Sequence, residues 1–187
     1  MKSKSKSILY SYITKPGKTI QERALYKPLL ESILILTLFS LSLISGLPIL
    51  FSPGSFIFWF LSMFSISLGI VFCHSVTLDF LAQIFRYKSQ SLRLFSWFGL
   101  SVMPMLLLVP LNFLLTPLAK FVPGLAALFM LAVLVSTISL QIVTFKTLYR
   151  MSLRTSILIY FSPLLIILAF TGIMVVLGMI LALIAFH

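Results

Sequence analysis

Three neighbouring side chains are of the types that catalysis and metal binding use: Cys73, His74 and Asp79. A nucleophile needs a base within hydrogen-bond reach, and a metal needs several ligands converging on one point. On a regular helix, at 100° per residue, His74 and Asp79 point about 140° apart and Cys73 and Asp79 about 120° apart. A helix therefore does not bring them together. No catalytic residue, no metal site and no cofactor is expected. Cys73 is the only cysteine, which excludes an intrachain disulfide and a cysteine-based zinc cluster. In its apolar run it reads as a buried structural thiol. His74 reads as a ring facing lipid headgroups near the end of a span.

The elements around these residues are apolar. Hydrophobic residues make up 60% of the 187 and charged residues 9%, against roughly 25% charged in soluble domains. Uncharged runs of membrane-spanning length recur. They predict five transmembrane helices at about 28–50, 56–77, 94–115, 124–144 and 156–186. The last is longer than a bilayer needs, so it is expected to tilt, protrude or kink at Pro163. The 14 Lys+Arg against 3 Asp+Glu give a net charge of +11, read as basic loops touching anionic headgroups, not as a nucleic-acid surface. Thirteen cations fall on one side of the bundle: seven in residues 1–27, then Arg86, Lys88 and Arg93, then the basic loop of Lys146, Arg150 and Arg154. Only Lys120 falls on the other. That bias places the N-terminus inside and the C-terminus outside. No cleaved signal peptide is expected, because the apolar stretch after the first lysines is short and broken.

Residues 1–27 form a basic cytoplasmic segment, and 28–187 the membrane domain. Thr19-Ile20-Gln21-Glu22 fits a capping box, which predicts a short helix over 20–26 lying on the membrane surface. Pro28 and Glu31 suit the first turn of span 1, with Glu31 four residues after Lys27. Asp79, Gln83, Arg86 and Gln90 recur at spacings of 4, 3 and 4. This predicts an interfacial amphipathic helix over 79–90, between spans 2 and 3, with Phe80, Ile84 and Phe85 dipping into lipid and Asp79 near Arg150 or Arg154. Ion-coupled transport is disfavoured, since no ionisable residue sits deep in a span. Small residues four apart, Ser65/Gly69 and Gly178/Ala182, suit close helix packing and read first as contacts inside one bundle, with partner recognition as the alternative. In span 3, Gly99 lets a neighbour approach, and Pro104 frees the Leu100 carbonyl, which Ser101 or a neighbour must satisfy.

The stretch Phe98-Gly99-Leu100-Ser101-Val102-Met103-Pro104 resembles the Gly-Tyr-x-x-x-Pro stretch of the Yip family, the Ypt/Rab-interacting membrane proteins. The order of features is similar too: the head with Lys15 to Ile20, the basic segment Ala82 to Arg93, and the turn from Tyr149 to Pro163. The resemblance covers nearly the whole chain and is closest to bacterial members. It implies the five-span fold and a bacterial cytoplasmic membrane location, and makes Gly99, Ser101 and Pro104 the motif residues. Leu100 stands in place of the family's tyrosine, and the Asp-Leu-Tyr-Gly-Pro stretch of eukaryotic members is absent. Both argue against Rab-type GTPase binding. The expected fold is an all-α integral membrane bundle. The expected function is a non-catalytic adaptor or organiser that binds other membrane components or itself. The alternative is a small permease, or permease subunit, for lipid or an uncharged solute.

Overall fold

The computed structural model describes residues 8–23, 26–45, 53–108, 110 and 124–185. All regular structure among them is helical. The order is α1 (Ile8–Thr14), α2 (Pro16–Glu22), α3 (Leu29–Ser45), α4 (Pro53–Ile84), α5 (Ser91–Ser101), a 3-10 turn (Met103–Leu107), α6 (Leu125–Tyr149) and α7 (Leu153–Ala185). Three helices are long and apolar enough to cross a membrane, over Ser55–Ile84, Leu125–Tyr149 and Leu153–Met179. They correspond to the second, fourth and fifth expected spans. The first and third expected spans appear as shorter apolar helices, Leu29–Ile44 and Ser91–Leu107. Residues 46–50, 109 and 111–115 of those two expectations lie outside the described residues.

The core sits towards one end of the bundle. There the last turns of α4 (Ser75, Leu78, Asp79, Ala82) meet α5 (Leu94, Trp97, Phe98), the end of α6 (Phe145, Leu148, Tyr149) and the start of α7 (Ser156, Ile159). Beyond Pro163 the described α7 side chains, Leu164 to Met179, are exposed to a degree usual for a helix surrounded by lipid. Pro163 lies inside this helix without ending it.

Two local expectations are corrected. The 79–90 segment is not a separate interfacial helix. Residues 79–84 complete α4, Phe85 and Arg86 turn, and 87–90 run without helical structure. The reason is visible at Asp79, whose carboxylate accepts from the Gln90 amide (2.7 Å) and the Ser89 hydroxyl (2.7 Å), folding the chain back over the helix end. The capping box does not form either. Pro16, pre-set for a first helical turn, opens α2 four residues earlier than expected. Thr19 is then inside the helix, donating to the carbonyls of Ser11 (2.8 Å) and Lys15 (3.0 Å). The head is also part of the bundle: Ile8, Tyr12 and Ile20 belong to the main core cluster.

Candidate functional site

Gly99 and Ser101 of α5 are both buried, on different faces of the helix. Gly99 faces Ser32 of α3. A Cβ on Gly99 would collide with the Ser32 hydroxyl and stand 2.8 Å from its Cβ, so only glycine permits this crossing. The Ser32 hydroxyl donates to the Ser96 carbonyl. On another face of α5, Ser101 donates to the Trp97 carbonyl (3.0 Å) and meets the Tyr12 hydroxyl at 2.7 Å. Tyr12 also meets the Thr144 hydroxyl at 2.6 Å, joining α1, α5 and α6 through one buried phenol. Burial pushes that phenol up to about 12, while its hydrogen bonds with Ser101 and Thr144 pull the other way. Pro104 does not kink a continuing helix. The α-helix ends at Ser101, and Pro104 occupies the first turn of the 3-10 segment, where its missing amide costs no hydrogen bond.

Asp79 organises the polar end. It accepts from the Tyr149 hydroxyl, Gln83 Nε2 (2.9 Å), Ser89 Oγ and the Gln90 amide. The expected contact with Arg150 or Arg154 is replaced by Tyr149. A buried carboxylate is tolerated when hydrogen bonds satisfy it, and these four do so without a cation. Gln90 then carries the network onward: its Nε2 donates to the Leu148 carbonyl (2.9 Å), and its Oε1 accepts from Arg93 Nη1 (2.8 Å). Gln83 belongs to this network, whereas Arg86 sits in the turn after α4 with its backbone in the left-handed region at φ 66°.

Two cavities flank these networks. A polar one of about 460 Å³ lies between the 86–93 segment and the 147–150 turn, with Arg86, Lys88, Arg93 and Arg150 on its walls. Lys146 and Arg154, expected to share a basic loop with Arg150, are exposed and do not line it. An apolar cavity of about 680 Å³ lies beside Pro104, between Ile13, Met103, Leu106 and Leu140.

The other candidates separate. Cys73 is exposed, not buried as expected. The His74 ring packs on Phe98 and Tyr160, with ring centres 5.6 and 5.3 Å away. No group of metal-ligating side chains forms among the described residues. Glu31 accepts from the Tyr26 hydroxyl at 2.5 Å. Sequence reasoning missed Tyr12, Ser32, Thr144 and Tyr149. The one legible signal was the Ile8/Tyr12 spacing of four, an apolar stripe inside a basic head. Compared with known proteins, the chain matches no protein family, no curated protein and no solved structure.

Proposed function

We propose that this chain is a non-catalytic, multi-pass membrane protein of the Yip type, acting as an adaptor or organiser that binds other membrane components. The proposal includes five spans, the N-terminus inside, the C-terminus outside, and the bacterial cytoplasmic membrane as location. The observation that carries it is the C-terminal part of α7. From Leu164 to Met179 its large apolar side chains are exposed all round, and a Cβ added at Gly172 or Gly178 would meet nothing within 4 Å among the described residues. Bare glycines on an unpacked apolar helix are what a second membrane helix needs for close approach. The non-catalytic reading is supported by Asp79, whose oxygens are committed to four donors.

The test is cross-linking in native membranes from single cysteines at positions 172 and 178 in a Cys73→Ser background. The expected result is a product of defined mass, a heteromer or a dimer, that is lost when Gly172 and Gly178 are both changed to Leu. Monomer alone from every position around α7 overturns the reading. One observation favours the permease alternative: the apolar cavity beside Pro104 has the chemistry to hold an acyl chain or an uncharged solute. Under that reading, reconstituted protein accelerates lipid or solute movement across vesicles, and filling the cavity with Ser139→Phe abolishes it.

A further inference from the structure

We propose that the polar cavity between the 86–93 segment and the 147–150 turn is a binding site for a phosphate-bearing anion. Its four cations, Arg86 and Lys88 before α5, Arg93 in the first turn of α5 and Arg150 at the end of α6, come from two regions far apart in sequence, and no acidic side chain lines it among the described residues. Asp79 stands behind the wall with its oxygens occupied by Tyr149, Gln83, Ser89 and Gln90. The ends of α4 and α6 add roughly half a negative charge each, and the start of α5 about half a positive one. The cavity stays positive after these are counted.

The backbone gives the independent argument. Both α4 and α6 end in the same way. Tyr87 donates its amide to the Ala82 carbonyl (3.1 Å), and Met151 to the Lys146 carbonyl (3.0 Å). Each closure needs a left-handed residue, a position where glycine is preferred because it has no Cβ to strain. Here both positions are arginine, Arg86 at φ 66° and Arg150 at φ 55°, the two non-glycine residues with positive φ among those described. Attraction to the helix dipole does not require this, because a cation one turn earlier, as at Lys146, meets the same field without backbone strain. Both strained arginines line one cavity. Arg93 completes it: Gln90 fixes one end of its guanidinium, while its buried Nε has no hydrogen-bond partner among the described residues. Guanidinium forks match phosphate oxygens in pairs. The phosphate is carried either by a lipid headgroup or by a soluble anion.

Thermal unfolding of the full chain in an uncharged detergent tests this, with dihexanoyl phosphatidylglycerol, dihexanoyl phosphatidylcholine, inorganic phosphate, and chloride at matched ionic strength. Phosphatidylglycerol is expected to raise the midpoint in a saturable way, and phosphatidylcholine and chloride are not. A matching rise with inorganic phosphate assigns the site to soluble phosphate, and a rise with the lipid alone assigns it to headgroups. Arg93→Gln is expected to weaken the apparent affinity at least tenfold. The double variant Arg86→Gly, Arg150→Gly relieves backbone strain, so it is expected to fold at least as well as the parent yet bind several-fold more weakly. The proposal is overturned if neither phosphatidylglycerol nor inorganic phosphate shifts the parent, if the zwitterionic phosphatidylcholine or chloride shifts it equally, or if the double variant binds like the parent. These outcomes do not depend on whether α7 has a partner.

Discussion

Gly99 and Gly172 are the same residue type in opposite surroundings. Gly99→Leu is expected to destabilise the protein by at least about 1–3 kcal/mol, because the new side chain has to displace Ser32 and the α3 backbone behind it. A Cβ at Gly172 meets nothing within 4 Å among the described residues, and Gly172→Leu is expected to leave the detergent-solubilised unfolding midpoint unchanged. Equal effects from the two would contradict the α3–α5 crossing. At Asp79, Tyr149→Phe removes one donor from a buried carboxylate, and a loss of roughly 1.5–3 kcal/mol is expected, measurable as a lowered midpoint at neutral pH. Tyr12 titrates at about 12 in the fold against 10 in an unfolded chain. Its neutral form is the one the fold favours. The contribution is therefore complete below pH 10 and is lost as pH rises towards 12, by on the order of 2–3 kcal/mol. Between pH 8 and 11 the parent's midpoint is expected to fall more steeply than that of Tyr12→Phe, and parallel curves would mean the phenol is not buried.

At the level of elements, the apolar runs of α4, α6 and α7 were legible because length and composition alone decide whether a helix can span a bilayer. The close packing at Gly99 was legible for a similar reason, since a missing side chain has one main use inside an apolar helix. Helix ends were not legible. The spacing of Asp79, Gln83, Arg86 and Gln90 is helical in sequence, yet the helix stops at Ile84, because a tertiary contact between Asp79 and the Gln90 amide outweighs local periodicity. The docking of α1 was hidden by charge: lysines dominate the head, and the partners of Tyr12 lie far away, in α5 and α6. Pro104 shows the same limit. Its place in an apolar run predicts a kink within a span, but it begins a 3-10 turn, so Pro104→Ala restores no interrupted hydrogen bond there. That variant is expected to change the midpoint by less than about 1 kcal/mol, and a larger stabilisation would indicate that the turn is strained.

For the molecule as a whole, the charge distribution and the packed core agree on which end is distinctive. The segments holding Arg86, Lys88, Arg93 and Arg150 lie at the end where the helices are best packed. Cysteines introduced at positions 90 and 151 in a Cys73→Ser background are expected to resist an impermeant reagent applied from outside, and one at position 120 is expected to react. The reverse pattern would invert the topology. The Tyr12–Thr144 bond also sets a timetable. The two residues are 132 positions apart, and at about 5–20 residues per second a ribosome needs roughly 7–26 s to travel between them. Over that interval Tyr12 lacks both hydroxyl partners until Ser101 is made, and Thr144 until the end. The contacts of Tyr12 with Trp97 and Ser101 of α5 can form earlier, but the contact with α6 has to wait until Thr144 has been made. The hydrogen bonds that hold α1 in the bundle thus depend on segments made long after it.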